Sequence, residues 1–203
     1  MKTCYFVIVF FVFLSSITFS QDKKAEIFIN GGISLPISPE SFSDYWSMGY
    51  NIGGGAGYRF LPNLSGSLSL GYNSMVFDEE GFLKDNGLGG YGLEVEGADA
   101  TVLMVTANVK FSLVPTAPLS PYLIGGIGFS NVSLEDISFA LEGQTYVVDG
   151  TSESTFGAII GAGVDIPVSP IVALFLEVDW GLATTEGDVT GYVPVKGGVL
   201  ILL

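Results

Sequence analysis

Eleven residues, Val172 to Leu182 (VALFLEVDWGL), constrain the fold of this 203-residue chain more than any others. Successive side chains on an extended strand point to opposite faces. Val172, Leu174, Leu176, Val178, Trp180 and Leu182 therefore share one face, and Ala173, Phe175, Glu177, Asp179 and Gly181 share the other. The first face is wholly apolar, and the second carries two carboxylates. In a soluble sheet the apolar face would be the core. In a membrane barrel it would meet lipid, with the carboxylates facing a polar interior.

The same alternation recurs along the chain. Ile27, Ile29, Ile33 and Leu35 oppose Glu26, Phe28, Asn30 and Ser34, and Ile52, Ala56, Tyr58 and Phe60 oppose Gly53, Gly55, Gly57 and Arg59. Leu68, Leu70 and Tyr72 oppose small polar residues, and Leu103 to Leu113 alternates with Met104, Thr106, Asn108, Lys110 and Ser112. In 122–132 glycine blurs the pattern, with Leu123, Ile127 and Phe129 turned outward; 155–166 sets Phe156, Ala158 and Ile160 against Gly157, Ile159 and Gly161. With 192–203 this predicts eight strands, each near the ~9–11 residues that a tilted membrane strand needs. The stretches 37–47, 78–97, 133–153 and 183–191 read as long loops, with QTYVVDG (144–150) extending a hairpin, and the proline-marked connections between the other strands are short. No segment of helical period is expected beyond the first 20 residues.

Those first residues read as an export signal: Lys2, an apolar run from Cys4 to Leu14, and a cut after Ser20. Eleven apolar residues are fewer than the ~20 of a spanning helix. The processed chain, 21–203, would be one barrel domain with six basic against 21 acidic residues, a net charge of −15, and no cysteine or histidine. Nucleic acid needs a basic face and is excluded as a partner. Thiol nucleophiles, disulfides and common zinc sets are excluded with the missing residues, and no cofactor or metal site is expected. An exported chain with an even strand number returns both ends to the periplasm, which puts the long loops outside.

The reading is thus an all-β, eight-stranded antiparallel up-and-down transmembrane barrel, closed by pairing of the first and last strands because open edges are not tolerated in hydrocarbon. Its interior, just wide enough to be filled by side chains, would hold Glu26, Arg59, Lys110, Asp165, Glu177, Asp179 and Lys196. Strand direction predicts a lower group of Glu26, Arg59 and Asp165 with Lys110 nearby, and an upper group of Lys196 with Asp179 and Glu177. Outward aromatics fall near strand ends, Tyr58, Phe60 and Phe111 toward the periplasm and Tyr72, Phe156 and Trp180 toward the outside, as in interfacial girdles.

Glu177 and Asp179 could act as an acid/base pair, but a filled lumen leaves a substrate little room and favours a salt bridge. The glycine runs GGGAG, GGIG and GAG complete no phosphate-binding motif. Sixteen carboxylates, from Glu40 to Asp188, lie in the loops. They solvate the surface or, as a second reading, bind divalent cations that bridge to lipid phosphates.

These features together resemble the small outer-membrane β-barrel family of Gram-negative bacteria, the group of opacity-type proteins and OmpA-like barrels. The residues that carry the resemblance are the export signal, GYNIGGGAGYRFLPNLSGSLSLGYNS (49–74), SPYLIGGIGFS (120–130), GAGVDIPVSPIVALFLEVDW (161–180) and YVPVKGGVLILL (192–203). The resemblance implies insertion by the barrel-assembly machinery into outer-membrane lipid, and a non-enzymatic role that is structural or exercised through the acidic outer loops. The chain ends in Leu203, where such families often carry an aromatic residue. The alternative is a soluble exported barrel holding an apolar ligand as lipocalins do, which requires the apolar faces to point inward.

Overall fold

A computed structural model describes residues 24–85, 87, 94–97, 99–141, 144–185 and 188–203. The expected export signal and its cut after Ser20 lie outside these residues. Eight long strands form the wall: β1 (Ala25–Ser38), β2 (Trp46–Leu61), β3 (Leu64–Phe77), β5 (Ala100–Ser112), β6 (Ser120–Leu134), β9 (Thr151–Pro167), β10 (Val172–Thr185) and β11 (Asp188–Leu202). Three short ones, β4 (Glu94–Gly97), β7 (Ile137–Leu141) and β8 (Gln144–Val148), make a separate sheet in the order β4-β7-β8.

The eight long strands close into an antiparallel barrel with β1 paired to β11. Glu26 registers with Gly57, and successive partners lead through Ser67, Asn108, Gly126, Ile159, Gly181 and Tyr192 back to β1 at Pro36. One circuit therefore climbs ten residues along the strand. With strands ~4.8 Å apart and ~3.3 Å of rise per residue, that stagger corresponds to a tilt of about 40°.

The alternation resolves as apolar outside. Ile29, Ile127, Phe156 and Ile160 are among the many large outward residues, the most open of them, Ile127, 73% exposed. Water-soluble monomers rarely expose contiguous apolar patches above a few hundred Å². The outward band rules against the soluble, ligand-holding alternative, whose apolar faces would have to line the interior.

The interior is packed by setting large side chains over glycine. Phe28 registers with Gly55, Tyr122 with Gly163, Phe175 with Gly198 and Tyr192 with Gly181. A Cβ on Gly55 would come within 2.7 Å of the Phe28 ring, and one on Gly181 within 2.5 Å of the Tyr192 ring. Aromatic cover of a strand glycine is a recurrent device in curved sheets. It accounts for Gly55 in GGGAG and Gly163 in GAG, while in GGIG a Cβ on Gly126 would meet the Asn108 side chain and one on Gly128 the Val105 carbonyl.

Each end of the lumen holds an apolar cluster. At the short-turn end Ala173, Phe175 and Leu200 form a cluster with Phe28 and Leu202, the rings of Phe28 and Phe175 meeting edge-on at 6.3 Å. At the long-loop end the expectation of no helix is corrected: α1 (Glu40–Tyr45) lies in the 37–47 loop and α2 (Glu79–Asp85) in the 78–97 loop. Neither segment is long enough to show a helical period in sequence. Phe42 of α1 is 6% exposed and packs on Met75, Ala100, Val102, Met104 and Tyr192 in the barrel mouth. Above it Phe77 and Val95 gather Tyr45, Trp46, Phe82, Leu83, Ile137 and Phe139. The expected loop at 183–191 is also corrected: β10 and β11 continue to pair up to Thr185 and Asp188, where threonine and valine sustain the ladder above the apolar band.

Candidate functional site

The ionisable side chains expected in the lumen arise from inward positions of six strands, and five of them join through a tyrosine. Lys110 on β5 meets Asp165 on β9, its Nζ 2.8 Å from Oδ1 and 2.6 Å from Oδ2. The same Nζ stands 3.8 Å over the centre of the Tyr122 ring. The Tyr122 hydroxyl donates to Oε2 of Glu177 at 2.8 Å, and Lys196 Nζ lies 2.8 Å from Oε1 of Glu177 and 2.5 Å from Oδ2 of Asp179. Asp165, Lys110, Tyr122, Glu177, Lys196 and Asp179 thus form one chain across β9, β5, β6, β10 and β11.

Arg59 stands apart. It pairs with Glu26 at 3.6 Å, partly exposed at the short-turn end. The expected lower group of Glu26, Arg59 and Asp165 therefore divides, because Asp165 is taken by Lys110, two strands away on the same side of the barrel. Tyr122 was not among the expected site residues. Its inward phase was legible, since Leu123 points outward, but its hydroxyl contact with Glu177 depends on β6 and β10 flanking β9. Ser69, Thr106 and Asn108 add a second polar network, Ser69 Oγ lying 2.8 Å from Thr106 Oγ1 and 2.8 Å from Asn108 Nδ2.

Between these groups remains a cavity of about 80 Å³, lined in part by Asn51, Asn73, Thr106, Glu177, Asp179 and Lys196. Such a volume suits a few water molecules. Glu177 and Asp179 both pair with Lys196, while the second Asp179 oxygen, Oδ1, is buried without a hydrogen-bond partner. Among the described residues no group of three or more Asp, Glu, His or Cys side chains is drawn together at a spacing fit for a metal ion.

Several loop acids instead hold the backbone. Asp78 Oδ1 accepts from the Gly81 amide at 3.0 Å, Asp99 Oδ1 from Phe77 at 3.3 Å and Asp136 Oδ1 from Gly150 at 2.7 Å. Glu142 and Glu186 lie outside the described residues. On the outer wall the rings of Tyr58 and Phe60 meet at a tilt with centroids 5.4 Å apart, and Phe111 is exposed at the same short-turn end. Phe156 pairs with Phe129 at 5.0 Å, Tyr72 with Tyr50 at 6.2 Å, and Trp180 faces outward on β10. Tyr50 and Phe129 were not in the expected aromatic set, although both are in phase with it.

Residues 6–193 match the family described as outer membrane protein beta-barrel domain. The chain belongs to this outer-membrane β-barrel family. Three solved barrels show the same fold. Neisserial surface protein A is 15% identical, with a TM-score of 0.61 over 88% of this chain and 97% of its own. Ail, the attachment invasion locus protein of Yersinia pestis, is 16% identical, with 0.50 over 88% and 99%. A major outer membrane protein from Thermus thermophilus is 10% identical, with 0.51 over 88% and 99%. Among curated protein sequences none matches this barrel. For an outer-membrane barrel the exposed apolar wall is the lipid-facing surface, and the ionic chain is its protein-filled interior.

Proposed function

We propose that this barrel is a non-enzymatic integral outer-membrane protein that acts, structurally or by interaction, through its acidic long-loop end. The observation that carries the reading is the closed lumen: apolar clusters stop both ends, and the space between is about 80 Å³. With the wall given over to lipid and the interior to its own side chains, the loop end with α1, α2 and β4-β7-β8 is left to meet partners. Its carboxylates favour partners that are basic or bring cations. Outer-membrane lipid surrounds the wall, and the barrel-assembly machinery would insert it. Protease treatment of intact cells tests the orientation. Cuts confined to 78–97 and 135–150 are expected, whereas a cut in the short turn at 167–171 would reverse it.

A further inference from the structure

The linked chain in the lumen does not balance its own charge. It sets three carboxylates, Asp165, Glu177 and Asp179, against two ammonium groups, Lys110 and Lys196, a net charge of −1. Arg59 does not supply the difference, because Glu26 matches it one to one at the short-turn end. An uncompensated charge enclosed between two apolar clusters is costly, since little solvent is there to screen it.

The unmet bonding falls on particular atoms. Asp179 gives Oδ2 to Lys196, but its Oδ1 is buried without a partner, in a side chain 1% exposed. Asn51 Oδ1 and Asn108 Oδ1 are likewise buried and unpartnered. Neither amide is free to turn and offer a donor instead, because Asn51 Nδ2 is spent on the Ile33 carbonyl at 2.6 Å and Asn108 Nδ2 on Ser69 Oγ at 2.8 Å. All three residues line the cavity of about 80 Å³, and they come from β2, β5 and β10, separated strands of the ring. Beside two of them the wall carries no side chain. Asn108 registers with Gly126 and Asp179 with Gly161, and a Cβ on either glycine would collide with the unpartnered oxygen. Among the described residues no buried side-chain nitrogen is left over to answer these three acceptors. Buried acceptors of this kind are normally satisfied.

Three acceptors with one excess negative charge call for a positive partner. Water donates to oxygen but brings no charge. A calcium ion takes about six to eight oxygens, several of them from carboxylates, and any divalent ion would turn the excess from negative to positive. We propose that the cavity holds one monovalent metal cation, with Asp179 Oδ1 as its charged ligand and the Asn51 and Asn108 carbonyl oxygens as neutral ones. Because an apolar cluster stands at each end, the ion is taken up as the barrel folds. Such an ion belongs to the lumen, and its binding is independent of what the loop end meets.

Equilibrium unfolding from lipid vesicles is measured in sodium chloride and in choline chloride at equal ionic strength, choline being too large for the cavity. Sodium is expected to raise the folding equilibrium constant about tenfold, as a ligand at about ten times its dissociation constant does. Asp179→Asn keeps the shape of the side chain, removes the excess charge, and should abolish the sodium advantage. An advantage that survives in this variant arises at the loop carboxylates, and no advantage in the unaltered protein leaves the excess charge to a proton; either result overturns the proposal. Crystals of the unaltered protein grown with thallium(I) acetate, a monovalent stand-in with strong anomalous scattering, should show one anomalous peak beside Asp179. A lumen without that peak overturns the proposal even if the variant fails to fold.

Discussion

At the scale of single residues, Lys196 and Gly163 carry the most consequence. Lys196 is the one cation in contact with both Glu177 and Asp179. Removing one partner of a buried pair strands the other charge and costs about 3–5 kcal/mol. Lys196→Met should lose that much in equilibrium unfolding from lipid vesicles. Arg59→Met, at a partly exposed pair 3.6 Å long, should lose under about 1 kcal/mol. Equal losses would show that the interior chain is no more dehydrated than the rim. Gly163 makes room for the Tyr122 ring, while Gly125 has only ordinary contact at 3.8 Å. Gly163→Ala should therefore cost about 1–3 kcal/mol by overpacking and pull Tyr122 from Glu177, with Gly125→Ala close to neutral. These inward and outward assignments were legible, because a period of two fixes the face of a residue once its strand is known. The partner of each charge was not, since Asp165, Lys110 and Arg59 all lie toward the same end and the choice among them depends on the reach of each side chain across the lumen.

At the scale of elements, α1 is the piece most loosely tied to its sequence. It spans six residues, and Phe42 is its one buried side chain. Isolated helices so short have no stability of their own, so burial of Phe42 in the mouth holds the segment. Phe42→Ala should remove about 3 kcal/mol of local stability. The Phe42 and Ser43 amides, which donate to the Pro39 carbonyl, would then exchange with deuterium roughly a hundredfold faster, while the barrel strands keep their protection. Uniform loss of protection would instead make α1 part of the barrel's cooperative unit. The eight wall strands were legible almost to their ends, whereas α1, α2, β4 and β7 fell in stretches read as loops, because their form is decided by tertiary contacts and not by local period. The same reason explains β10 and β11, whose upper residues read as a loop but continue as a ladder.

At the scale of the whole molecule, the closed lumen predicts the absence of a conducting path. In planar bilayers neither the unaltered protein nor Phe42→Ala should give stepwise currents, because Phe28, Phe175 and Leu200 still stop the short-turn end. Discrete conductance in Phe42→Ala would mean that the lower seal opens. Sequence by itself determined the eight-stranded ring, the outward apolar wall and the ionic interior, since alternation and turn spacing are local properties that a closed barrel must obey. Tertiary structure decided what the ring does with its inside and its mouth. Tyr122 links two charge groups that sequence had kept apart, Phe42 closes an end that sequence had left as loop, and unpartnered oxygens from three strands line one cavity. Each of these joins residues distant along the chain, and only the stagger of ten residues around the barrel brings them to one height.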